Sequence, residues 1–136
     1  MIQLGFLGAG KMATALAGGL IRQGVFTPAE LLAVDVKEAA REQFTAATGV
    51  ACVTEPADLV VQSPVVLLAV KPQDSAALLT QFQGRMGDKL LISIAAGLAI
   101  AKLSAWTASE RVVRVMPNTP AMVNLGASVF ACGPAV

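Results

Sequence analysis

The chain has no histidine, no tyrosine, one tryptophan and two cysteines in 136 residues. Without histidine there is no Ser-His-Asp or Cys-His nucleophile system. Cys52 and Cys132 are far apart, form no C-x-x-C pair and have no histidine beside them, so two reduced thiols are expected and no metal site. Charge is scarce as well. Ten Lys and Arg face nine Asp and Glu, 14% of the chain in all, with no run of one sign. That balance lacks the basic footprint of a nucleic-acid binder. No apolar run reaches the roughly 18 residues of a membrane span. The opening "MIQLGFLGAG" has neither the basic start nor the cleavage site of a signal peptide. A cytoplasmic protein is expected, without membrane or nucleic-acid partners.

What the chain does have is apolar residues, 55% of the total. A length of 136 residues suits one domain with a real core. So high an apolar fraction fits a sheet covered on both faces, and it leaves apolar surface that a partner is expected to cover. Strands are predicted over Gln3 to Leu7, Leu31 to Val34, Ala51 to Val53, Val65 to Val70, Leu90 to Ile94 and Val112 to Met116, with a short one over Ala127 to Ala131. Helices are predicted between them, over Lys11 to Gln23, Lys37 to Ala47, Pro56 to Gln62, Ser75 to Phe82 and Ala99 to Trp106. The runs "VVLLAV" and "LLISI" are continuously apolar, as central parallel strands are, and parallel strands need helical crossovers. The expected architecture is α/β: a doubly wound, mostly parallel sheet in a three-layer α/β/α arrangement of the Rossmann type.

Gly8-Ala9-Gly10-Lys11-Met12-Ala13 reads G-x-G-x-x-A directly after a predicted strand and at the start of a predicted helix. In that setting the first glycine permits the tight turn and the second lets the backbone approach a pyrophosphate. The alanine lets helix and strand pack closely. A diphosphate would meet free N–H groups and the positive end of the helix dipole. Asp35 falls at the end of the second strand, where a carboxylate accepts from the ribose hydroxyls of NAD. It repels a 2′-phosphate by up to about 4 kcal/mol at close range before screening. Lys37 and Arg41 follow closely and offset part of that repulsion. The cofactor expected is NAD(P)H with a lean to NADH. Further on, Lys71-Pro72 ends the fourth strand, Ala95-Ala96-Gly97 ends the fifth, and Met116-Pro117-Asn118-Thr119-Pro120 follows the sixth. All these strand ends are expected to face one crevice.

The segments "GFLGAGKMATALAGGL", "AVKPQ", "SIAAGL" and "RVMPNTPAMVNLGAS", in this order and spacing, resemble the pyrroline-5-carboxylate reductases over essentially the whole chain. The resemblance implies reduction of 1-pyrroline-5-carboxylate to L-proline, with a cyclic imino acid as substrate. It implies Leu7, Gly8, Ala9, Gly10, Lys11 and Met12 at the pyrophosphate, and Asp35 and Lys37 at the adenosine ribose. Ala69, Val70, Lys71 and Pro72, with Ile94, Ala95, Ala96 and Gly97, would line the nicotinamide side, and Asn118 and Thr119 would lie near the reacting ring. The family also carries a C-terminal helical domain that forms the homo-oligomer and completes the substrate pocket. Residues 1–136 are therefore expected to be the dinucleotide-binding domain alone. Where the family often opens its third helix with asparagine, this chain has Glu55-Pro56. No catalytic proton donor is assigned: a lysine is a poor proton donor unless desolvated, so a positioning or electrostatic role is expected for Lys71. Two other readings remain: a dinucleotide-binding module without chemistry, and a domain of a related hydroxyacid-type dehydrogenase.

Overall fold

The computed structural model describes residues 1–117 and 128–136. Strands β1 (Leu4–Leu7), β2 (Leu31–Val34), β3 (Ala51–Val53), β4 (Val65–Leu68), β5 (Leu90–Ser93), β6 (Val112–Pro117) and β7 (Ser128–Cys132) form one sheet. Its order is β3-β2-β1-β4-β5-β6-β7. The first six strands run parallel and β7 pairs antiparallel with β6, Arg114 opposite Ala131. Helices α1 (Lys11–Arg22), α2 (Glu38–Thr48), α3 (Pro56–Gln62), α4 (Pro72–Leu79) and α5 (Ile100–Thr107) are the connections. Chain direction across the sheet reverses between β1 and β4, so a crevice opens at their carboxyl ends.

The period-2 alternation of the strands divides the core into two layers. Leu4 and Phe6 of β1, Leu31 and Ala33 of β2 and Leu67 of β4 pack with Ala13 and Ala17 of α1 and Phe44 of α2. The alternate residues Leu7, Leu32, Val34, Val66 and Leu68 pack with Leu59 of α3, Leu79 of α4 and Leu103 of α5 on the opposite face. Central strands thus have no polar face, which explains their unbroken apolar runs. The rings of Phe6 and Phe44, with centroids 5.8 Å apart and inclined at 58°, tie α2 to the middle of the sheet.

Boundaries differ from the sequence expectation where proline acts. Helix α4 begins at Pro72 and not at Ser75, because proline at the first helical position has the required φ and no N–H to leave unbonded. The 80–82 stretch expected as its end is a separate 3-10 turn, Thr80–Phe82. Strand β4 stops at Leu68, which leaves Ala69 and Val70 to run along the crevice, and β7 occupies Ser128–Cys132. On the outer surface Val25, Val61, Val129 and Phe130 are large apolar side chains left exposed. Among the described residues no helix is long and apolar enough to cross a membrane, and no cluster of three metal-ligating side chains occurs.

Gly5 shows how tightly α3 lies on the sheet. A Cβ there would stand 2.4 Å from Ser63 Oγ and 2.5 Å from a Leu59 methyl carbon. Gly5→Ala is expected to destabilise the fold by about 1–3 kcal/mol through overpacking, measured by urea unfolding. A second expectation concerns the thiols, both free. Burial pushes the Cys52 thiol above its ordinary pKa, whereas Cys132 is exposed. Since the thiolate is the nucleophile, limited iodoacetamide treatment at about pH 8 should label Cys132 well before Cys52, read by peptide mass mapping.

Candidate functional site

The turn from β1 into α1 is built from main chain. Gly8 has φ +108°, and a Cβ on it would lie 2.8 Å from the Ala69 carbonyl oxygen at the end of β4. Only glycine accommodates both that conformation and that approach. The N–H of Gly8 donates to the Val34 carbonyl at 2.9 Å, and the N–H of Ala9 donates to Asp35 Oδ2 at 3.0 Å. Gly10, in extended conformation, precedes the first residue of α1 and has no side chain with which to cap it. No acidic residue lies in the first turn either. The head of α1 therefore keeps the partial positive charge of its unbonded N–H groups. A Cβ added at Gly10 would meet nothing within 4 Å, because this residue borders open space.

That space is a cavity of about 570 Å³ at the chain reversal. One wall is the phosphate-loop candidate, Gly8 and Gly10, with Ala69, Val70 and Lys71 from the end of β4. A second is Asp35, Val36 and Lys37 after β2, with Ala40 of α2 and Pro56 at the start of α3. The third is one side of α4 and its 3-10 extension: Gln73, Asp74, Ala77, Leu78 and Gln81. At the β2 end Asp35 Oδ1 accepts from the Lys37 N–H at 2.9 Å, and Arg41 Nη1 donates to the Asp35 carbonyl at 2.7 Å. Acid and base alternate there within a few residues.

Of the residues singled out from the sequence, Gly8, Gly10, Asp35, Lys37, Ala69, Val70 and Lys71 meet around this one cavity. Leu7 and Ala9 are buried beneath it, and Met12 is half-buried in α1. Lys11 turns instead to a second groove of about 410 Å³ between α1 and α2, shared with Thr14, Ala40 and Gln43. Pro72 opens α4 at the cavity's edge. Ile94, Ala95, Ala96 and Gly97 follow β5, the next strand over, with Ala95 buried and Ala96 and Gly97 exposed; they do not line the 570 Å³ cavity. Asn118 and Thr119 lie outside the described residues.

The α4 wall is what the sequence reading missed. Residues 73, 74, 77, 78 and 81 recur at helical spacing, and starting the helix at Pro72 would have put them on one face. Pro56, which departs from the family pattern, stands in the cavity wall. Val36, largely exposed beside the Asp35 carboxylate, also lines the cavity.

Comparison with known proteins agrees with this geometry. Residues 3–97 match the family model described as NADP oxidoreductase, coenzyme F420-dependent. The pyrroline-5-carboxylate reductase of Glycine max is 41% identical over 133 residues, which is 96% of this chain and 48% of that protein. Among solved structures, the pyrroline-5-carboxylate reductase of Coxiella burnetii superposes with a TM-score of 0.92 at 27% identity, covering 99% of this chain and 51% of the other. The pyrroline carboxylate reductase of Plasmodium falciparum, solved with NADP bound, gives 0.84 at 30% identity, covering 99% and 49%. The chain thus spans about half the length of the curated relatives it matches. A sheet of this order, an uncapped helix head facing its crevice and a family match over residues 3–97 converge: the chain belongs to the family described as NADP oxidoreductase, coenzyme F420-dependent, as a dinucleotide-binding domain of the pyrroline-5-carboxylate reductase type.

Proposed function

We propose that this chain is the cofactor-binding half of a cytoplasmic enzyme that reduces 1-pyrroline-5-carboxylate to L-proline with NAD(P)H. The observation that carries the reading is the head of α1, uncapped at Gly10 and open to the cavity, where a side chain would occupy the space a diphosphate needs. When bound, the cofactor supplies a hydride for the C=N carbon of the imino acid. The protein's part is binding and orientation. The turn from Leu7 to Met12 would hold the diphosphate at the helix head, with the N–H groups free to donate to it beginning at Gly10. Asp35 and Lys37 would meet the adenosine ribose, and Val36, Pro56, Ala77 and Leu78 offer apolar surface to the adenine. Ala69 to Pro72 and Ile94 to Gly97, at the ends of adjacent strands β4 and β5, would lie along the nicotinamide side. Lys71 is exposed at the cavity edge and serves there as a positioning charge. Asn118 and Thr119 join this set by family resemblance alone. Substrate contacts and the homo-oligomer would come from the other half of a full-length reductase of this type.

Choice between the two cofactors turns on the β2 end. The Asp35 carboxylate would repel a 2′-phosphate while Lys37 and Arg41 offset part of that, so NADH is expected to bind tighter than NADPH by less than about tenfold, or about 1.4 kcal/mol. Fluorescence titration of both cofactors measures this, and tighter binding of NADPH would reverse the assignment.

Gly10→Val should abolish measurable cofactor binding while leaving the unfolding transition nearly unchanged, since its side chain would project into open space. Unaltered affinity in that variant would refute the diphosphate site. The reductase assignment is tested separately, by fusing the chain to the C-terminal half of the Glycine max relative and assaying cofactor oxidation with 1-pyrroline-5-carboxylate. Turnover by the fusion, lost again on Gly10→Val, is the expected result; a folded fusion that binds cofactor without turnover would favour a binding module.

A further inference from the structure

Asp35 makes hydrogen bonds that a carboxylate serving only a ribose does not need. Its Oδ2 accepts the N–H of Ala9, 26 residues earlier in the chain, at 3.0 Å, and its Oδ1 accepts the N–H of Lys37 at 2.9 Å. Beside this pair the Gly8 N–H donates to the Val34 carbonyl at 2.9 Å. Two successive N–H groups of the glycine turn are thus committed to the end of β2, one through main chain and one through the carboxylate. The Asp35 main chain is held in turn by Arg41, whose Nη1 donates to its carbonyl at 2.7 Å. An N–H aimed at Asp35 is not available to a phosphate, so the donors left for an anion begin at Gly10.

We propose that Asp35 is a positioning residue: by binding the Ala9 N–H it fixes the Gly8-Ala9-Gly10 turn in the shape that presents the head of α1 to a diphosphate, whatever contact it also makes with a ribose. The inference rests on the dinucleotide reading of the cavity. Its physical basis is that Ala9 stands between two glycines, the residues with the widest backbone freedom. A turn that loose must be ordered when ligand binds, at a cost in affinity, unless something orders it beforehand. A charge-assisted hydrogen bond from a strand in the sheet interior does so. Asp35 therefore acts on the diphosphate end of the ligand as well as on its ribose.

The two roles separate with ADP and 2′,3′-dideoxy-ADP, the second of which has no hydroxyl for Asp35 to accept from. Isothermal titration of both into the wild-type chain, Asp35→Ala and Asp35→Asn is combined with hydrogen exchange at the Ala9 amide. The Phe6 amide in β1 serves as the control for global stability. Asp35→Ala is expected to weaken both nucleotides by about tenfold and to speed exchange at Ala9 without changing Phe6. Asp35→Asn retains one acceptor and should recover part of both effects. Unchanged dideoxy-ADP affinity in Asp35→Ala would overturn the inference and leave the dinucleotide site standing. So would a loss of affinity accompanied by equally accelerated exchange at Phe6. Failure of the wild-type chain to bind either nucleotide would overturn the reading of the cavity itself, and the inference with it.

Discussion

The N–H groups at the head of α1 have no side chain to satisfy them, and much of the molecule is arranged around leaving them so. A helix start without a capping residue gives up about 0.5–2 kcal/mol that serine or aspartate would supply. Here the position holds Gly10, with no acidic residue in the first turn. The helix is secured from elsewhere. Ala13 and Ala17 bury their methyl groups against Phe6 and Leu67, so that tertiary packing holds α1 to the sheet while its head faces the cavity. Small residues on the buried side are what let it lie this close, which is why the run after the glycines is rich in alanine.

Strand order sets where that head points. With β1 and β4 adjacent and their connections leading to opposite faces, no connection among the described residues crosses the gap at their carboxyl ends. Gly8 brings the β1 turn up to the Ala69 carbonyl, closing the floor of the crevice, while α4 rises beyond it as a wall. The cavity carries charge at Asp35, Lys37, Lys71 and Asp74 and offers apolar surface along Val70, Ala77 and Leu78. That mixture suits a ligand with a charged middle and flat, weakly polar ends.

Much of this was legible in the sequence because local chemistry and global fold agree. The β1 turn was readable from Gly8 and Gly10, the buried strands from "VVLLAV" and "LLISI", and the acidic corner of the cavity from Asp35 at the end of a strand. The cavity's third wall was not, since Gln73, Ala77 and Gln81 carry no special chemistry and gain importance only when α4 starts at Pro72, a proline the sequence assigns to the end of the fourth strand. The hydrogen bond from Ala9 to Asp35 was out of reach for a different reason. It joins residues 26 apart through the register of β1 against β2, and no spacing rule encodes the direction of a carboxylate oxygen.

That bond also addresses a conflict inherent in such sites. A turn that approaches a phosphate through main chain must be rich in glycine, and a turn rich in glycine is poorly ordered by itself. Order has to come from a neighbour that is already fixed. Strand β2 is such a neighbour, since it lies between β1 and β3, its four residues are all buried, and its register with β1 runs from Leu4 opposite Leu31 to Leu7 opposite Val34. The first residue past that register is the one positioned to reach back to the turn, and a side chain as short as aspartate spans the distance. A carboxylate there binds the turn from one side and faces the cavity from the other, so under the proposed reading one residue would bear both on the choice of cofactor and on the surface that a cofactor meets.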